Sequence, residues 1–285
     1  MNPYLKFVND SAAVVAAARD IPLGGLAPCP RQATTADAQN VLLLSPHPDD
    51  ECIVGGLALR LLRSGRFRVK NVAVTQGSNK ERQGPRLAEL EAACNYLGFE
   101  VIQVQEGGLE KINRKGKTAM PDNWSMAVEK IAAILRRERP QVLFLPHEGD
   151  WNTTHIGTHD LAVEAMTALG PDFACCTVET EFWAPMDSPN LMLEISAAEL
   201  SDMIAALSFH VGEVQRNPYH LTLPAWMQDN VRRGGELVGG QGEAAPDYVF
   251  ATLYRVRKWT GGTWQNAFDG GRCLGARDDV TKLLR

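Results

Sequence analysis

Val41-Leu42-Leu43-Leu44-Ser45-Pro46-His47-Pro48-Asp49-Asp50-Glu51 passes from a purely apolar run to a cluster of ionisable groups within a few residues. The first four side chains leave no polar face, which suits a strand buried on both sides, as in the middle of a parallel sheet. Ser45-Pro46 closes that strand. Downstream, Gly55 to Ser64 has helical periodicity with a stop at Gly65, and Val69 to Thr75 reads as a second strand. Leu87, Leu90, Ala93, Cys94 and Leu97 recur at helical spacing over 84–97, with Gly98 as the residue past the helix end. Phe99 to Val104 is a third strand, Gly107 to Asn123 a Gly- and Pro-containing loop, Trp124 to Glu138 a helix, and Gln141 to Leu145 a fourth buried strand.

This β-α-β-α-β-α-β order predicts an α/β fold: a Rossmann-like three-layer sandwich with a mostly parallel sheet, plus an irregular C-terminal extension. We expect a helical N-terminal extension and linker over 1–40, an α/β core over 41–200, and a C-terminal helix, Pro/Gly-rich loop and strand over 201–285. Ligands of such sheets bind beyond the carboxyl ends of the strands. Chemistry should therefore cluster after Leu44, Thr75 and Leu145, and it does.

The rest of the chain narrows the function class. With Lys+Arg 29 against Asp+Glu 34, the net charge is −5 and lacks a basic patch, which argues against nucleic acid or an anionic membrane as partner. Cys29, Cys52, Cys94, Cys175, Cys176 and Cys273 form no C-x-x-C pair, and several lie in apolar runs, so reduced thiols in a cytoplasmic protein are expected. The apolar stretch Ala12 to Ala18 follows Asn9 and Asp10 with no basic segment, unlike a signal peptide.

After the first strand, His47 and Asp50 stand three positions apart, where they can converge on one divalent cation, and Asp49 is left to handle a proton. A bare H-x-x-D would more often be a turn and helix cap, and the full six-residue run after a strand is what makes the signal specific. After the fourth strand, Pro146-His147-Glu148-Gly149-Asp150-Trp151-Asn152-Thr153-Thr154-His155-Ile156-Gly157-Thr158-His159 opens a helix. It concentrates three of the chain's six histidines at a second strand end.

The first motif resembles the P/A-H-P-D-D-E signature of the PIG-L/LmbE-like deacetylases, and the second block their H-P-D-H-x-x-x-H element. The likeness covers roughly 40–170. It implies a zinc-dependent hydrolase that removes an acyl group, typically acetyl, from the nitrogen of an amino sugar or sugar-like conjugate. His47, Asp50 and His155 would then be the metal ligands, to Zn²⁺ or another divalent ion such as Fe²⁺, and Asp49 the base. Asn152 stands where the family commonly has a histidine. Its amide can donate to a developing oxyanion but supplies no proton, so His147 and His210 enter as further candidates. For His210, a helix C-terminal cation is an equal reading. Arg86, in the R-x-x-E spacing with Glu89, is a candidate for a sugar hydroxyl or phosphate, with a solvated helix charge or an internal ion pair as equal readings. Trp151 is a candidate sugar platform, whereas Trp124, Trp183 and Trp226 read first as packing. The resemblance also implies a homo-oligomer. The same site could serve a non-sugar amide, and a noncatalytic carbohydrate- or nucleotide-binding domain is the rival from another class.

Overall fold

The computed structural model describes residues 2–242 and 244–284. Strands β1 (Gln39–Ser45), β2 (Phe67–Ala73), β3 (Glu100–Gln103), β4 (Val142–Pro146) and β5 (Cys175–Thr180) pair in parallel in the order β3-β2-β1-β4-β5. The sheet then continues through β7 (Ala251–Thr260), antiparallel to β5, and on to β6 (Leu191–Glu194) and β9 (Arg272–Leu274), with β8 (Thr263–Asn266) paired to β7. The helices are α1 (Leu5–Ala18), α2 (Asp50–Val54), α3 (Gly56–Arg63), α4 (Lys80–Leu97), α5 (Arg114–Ala119), α6 (Pro121–Glu138), α7 (Thr153–Ala168), α8 (Ala197–Leu207), α9 (Val211–Val214) and α10 (Tyr219–Leu237).

The apolar run in β1 sets the layering. Side chains alternate across a strand, so Val41 and Leu43 enter one core, with residues of α2, α3, α4, α8 and α10. Leu42 and Leu44 enter the other, with residues of α6 and α7. Full burial stabilises each such side chain by about 1.5–3 kcal/mol, and a polar residue at any of these positions would face a core. The sheet is thus mostly parallel with helices on both faces, as the order of elements predicts. Because β2 and β4 flank β1, the connections run opposite ways at the β1–β4 boundary, which opens a crevice at the carboxyl ends of those strands.

Three segments differ from the sequence expectation. The N-terminal helix ends at Ala18 and buries none of its residues, leaving Leu5, Phe7, Val8, Val14 and Val15 exposed. The segment 107–123 holds α5, capped by the Asn113 side chain accepting from Gly116 N–H at 2.8 Å, and the start of α6. Pro121 sits in the first turn of α6, where its missing N–H costs nothing. The Pro/Gly-rich stretch before 246 contains the long helix α10 despite Pro224. Its Leu223, Met227 and Val231 recur at helical spacing and are buried, and that packing offsets a broken helix hydrogen bond. All six cysteines are free.

Next to the crevice, the β5–β7 register sets Glu179 opposite Arg255. Arg255 Nε donates to Glu179 at 2.7 Å, Arg257 Nη2 lies 2.7 Å from it, and His159 Nε2 3.6 Å. Burial alone would raise the Glu179 carboxyl, but His159 and the two guanidiniums hold it at about 2. A lowered carboxyl stabilises the fold fully above its unfolded value, about 4.3, and that stability is lost as pH falls towards 2. Glu179→Gln is expected to cost about 3 kcal/mol in urea denaturation at neutral pH, and to flatten the fall in stability over that acid window. An unchanged denaturation midpoint would show the network to be energetically idle.

Candidate active site

The loop after β1 places its ionisable groups through an unusual backbone. Asp49 has φ 116°, a left-handed conformation that a residue with a Cβ adopts at a cost of about 1–3 kcal/mol. Its N–H donates to the Glu51 carboxylate at 3.1 Å, and the buried Glu51 accepts from His210 Nε2 at 2.8 Å. This His210–Glu51 pair, assembled from α2 and the turn before α9, props the strained residue from behind. His210 is therefore turned to Glu51, and it does not line the crevice.

His47, Asp50 and His155 come together. His47 Nδ1 lies 3.3 Å from His155 Nε2 and 3.8 Å from Asp50 Oδ2, while His155 Nε2 lies 3.5 Å from Asp50 Oδ1. Ligand atoms of a tetrahedral ion, each about 2.0–2.1 Å from it, stand about 3.3–3.4 Å apart. The spacing therefore fits a small divalent cation. Two further observations agree. Asp50 Oδ1 is buried without a hydrogen-bond partner, which is costly unless something positive meets it. Burial and the neighbouring His155 push His47 down to about 3, so its ring is neutral and offers a lone pair.

Asp150 supports this cluster from the second loop. It stands 3.5 Å from His155 Nδ1, and it accepts from Asn152 N–H at 2.7 Å and Trp183 N–H at 3.3 Å. A carboxylate on the far nitrogen of a histidine fixes the ring's orientation and raises its basicity as a ligand. The sequence reading gave Asp150 no role; its signal was a carboxylate five residues before His155 in the same strand-end loop.

A cavity of about 270 Å³ opens over the cluster, lined in part by His47, Asp49, Asn152 and Arg86. Asp49 is buried, and burial together with Asp50 and Glu51 raises its carboxyl well above the usual range, a trait of a proton-accepting group. The Asn152 amide oxygen caps α7 by accepting from Thr154 N–H at 2.8 Å, which leaves the amide N–H groups as what it can present to the cavity. His147 is committed elsewhere: Gly149 N–H donates to its Nδ1 at 3.3 Å, and its Nε2 lies 3.0 Å from the Ala184 carbonyl. Trp151 is 75% exposed and does not line the cavity. The aromatic side is instead Phe182, Trp183 and Tyr219, with Phe182 stacked on His155 at 5.5 Å and 25° and Trp183 edge-on to Tyr219 at 5.8 Å. Phe182 and Tyr219 carried no sequence signal, because they enter from the segment after β5 and from α10.

A family model, GlcNAc-PI de-N-acetylase (PIG-L), matches residues 42–166. The chain is 29% identical to a 1D-myo-inositol 2-acetamido-2-deoxy-alpha-D-glucopyranoside deacetylase of Corynebacterium urealyticum, over 49% of this chain and 51% of that protein. It is 32% identical to a diacetylchitobiose deacetylase of Thermococcus kodakarensis, over 48% and 53% respectively. The chain thus spans about half the length of the curated relatives it matches. Among solved structures, the 4-carboxy-2-hydroxymuconate hydratase GalB of Pseudomonas putida superposes with a TM-score of 0.58 at 18% identity, covering 76% of this chain and 95% of that one. That likeness concerns the fold alone, since one architecture can host different reactions. Over residues 42–166, then, this chain is similar to the GlcNAc-PI de-N-acetylase (PIG-L) family.

Proposed function

We propose that the protein hydrolyses an N-acetyl amide on an amino sugar or sugar conjugate, with a divalent metal held by His47, Asp50 and His155. The observation that carries this reading is the convergence of those three side chains beneath a cavity that His47 and Asp49 line. Zn²⁺ suits two imidazoles and a carboxylate, and Fe²⁺ is the alternative that this donor set also accepts. When bound, the ion supplies Lewis acidity, lowering the pKa of water and polarising a carbonyl oxygen.

The chain's own residues then divide the work. Asp49 takes the proton of the attacking water and returns it to the departing amine nitrogen. The Asn152 amide donates to the carbonyl oxygen as charge develops on it. Asp150 holds the His155 ring in register, and Glu51 with His210 keeps the Asp49 backbone in its left-handed turn. Trp183, with Phe182 and Tyr219, offers an apolar face to a sugar ring.

An amine-release screen against N-acetylated amino sugars and conjugates tests the reading. Purified protein should contain about one divalent metal per chain, and release of amine should stop with chelator and return with Zn²⁺ or Fe²⁺. Protein that holds no metal after metal-supplemented expression, and releases no amine, would instead behave as a binding module. No helix among the described residues is long and apolar enough to cross a membrane, and the cavity's size fits a small molecule.

A further inference from the structure

The same cavity carries more positive charge than its pairing requires. Arg82, Arg86 and Arg216 all line it, and all three converge on one carboxylate, Glu213. Arg82 Nη2 stands 3.5 Å and Arg86 Nη2 3.9 Å from Glu213 Oε2, and Arg216 pairs with Oε1 of the same group. Arg86 also donates to the Pro48 carbonyl at 3.2 Å, which ties it to the Asp49 loop. Beyond that 3.5 Å ion pair, the Arg82 guanidinium makes no hydrogen bond among the described residues, so most of its fork of donors is available to a ligand. One carboxylate cannot neutralise three guanidiniums, and among the described residues the one other acid lining the cavity, Asp49, is the proposed base.

The backbone is shaped around these groups. A Cβ on Gly77 would come within 2.5 Å of Arg86 Nη1, and one on Gly212 within 2.7 Å of Arg82 Nη2. Gly77 leads through Ser78 and Asn79 into the N-terminus of α4, whose free N–H groups favour negative charge. Gln76, beside it, is 1% exposed, lines the same cavity, and has neither amide atom hydrogen-bonded. A buried amide without a protein partner is costly, and a polar group entering the cavity would meet it.

We propose that the substrate bears an anionic group, a carboxylate or a phosphate on the sugar or its conjugate, which Arg82, Arg86 and Arg216 hold while the N-acetyl group reaches the His47–Asp50–His155 cluster. This names a substrate class and rests on the hydrolase reading above. Guanidinium forks match both oxyanions bidentately, so carboxylate and phosphate are separated by experiment.

Calorimetric titration provides the test, with three probes. They are N-acetylglucosamine carrying an ether-linked lactic acid, the methyl ester of that acid, and N-acetylglucosamine 6-phosphate. At least one anionic probe should bind about tenfold or more tighter than the neutral ester, the worth of one charge-assisted contact. Which of the two binds tighter identifies the oxyanion. The preference should shrink at high salt. It should fall within about threefold in the Arg82→Gln/Arg216→Gln double variant and return in part with lysine at both positions, which restores charge without the fork. Equal binding of acid, phosphate and ester by the native protein overturns the proposal, as does a preference that survives the double variant. If that variant fails to fold, the salt dependence of the native preference decides. Amine release from the same probes reports separately on the hydrolase reading: tighter anion binding without turnover removes that reading alone, and equal binding with equal turnover of acid and ester removes the anion site alone.

Discussion

His155→Ala is expected to give a folded protein that no longer retains a divalent metal and has lost amine release by a factor of about 10³ or more. The ring supplies the one member of the cluster that comes from the far side of the crevice, 3.3 Å from His47 Nδ1 and 3.5 Å from Asp50 Oδ1. His47 and Asp50 lie on a single turn and cannot enclose an ion between them alone. Loss of metal forfeits several kcal/mol of charge stabilisation in the transition state, which is about three decades of rate. Elemental analysis after dialysis against a weak chelator, read beside turnover, checks both halves. Asp150→Asn should show a milder form of the same defect, about 10–100-fold weaker metal retention, since it removes the partner of the ring and not the ring. A His155→Ala protein with full metal and normal rate would dissolve the site.

Asp49→Asn is expected to split the two properties, keeping the metal and losing about 10²–10⁴ in turnover. Asparagine is the informative replacement because of the backbone. At φ 116° most side chains are strained, and asparagine is among the few that tolerate the left-handed region. It also keeps the shape of the carboxyl and removes only the ability to accept a proton. Asp49→Ala would confound the loss of a base with a backbone penalty. Metal content and far-ultraviolet circular dichroism should match the native protein, with kcat reduced and KM little changed. Turnover within a few-fold of native would take the base role away from Asp49 and pass it to another group on the cavity wall.

The two motifs were legible because each is local. A buried strand followed by His47-Pro48-Asp49-Asp50 places ligand-type residues at a strand end with no knowledge of the rest of the chain, and the second strand end repeats the pattern with His155. What the local pattern misjudged was orientation. His210 was open to two readings, cavity residue or helix-end cation, and the structure gives it neither surrounding: it is buried against Glu51. Trp151 stands inside the motif yet projects to solvent, while Trp183, read first as packing, lines the cavity. Composition misled over 210–246, where proline and glycine implied irregular chain and tertiary packing of Leu223, Met227 and Val231 made a helix.

By itself, then, the sequence determined the first four strands, the mostly parallel sheet they build, and the ligand-type residues at the ends of β1 and β4. These follow from hydrophobic periodicity and from residue types at strand ends, both of which act over a few neighbours. Only the tertiary structure decided the antiparallel entry of β7 beside β5, the aromatic wall from 182–183 and Tyr219, and the gathering of Arg82, Arg86 and Arg216 around Glu213. Those depend on contacts between segments far apart in the chain, where burial and charge pairing choose among many arrangements that local propensity leaves equal.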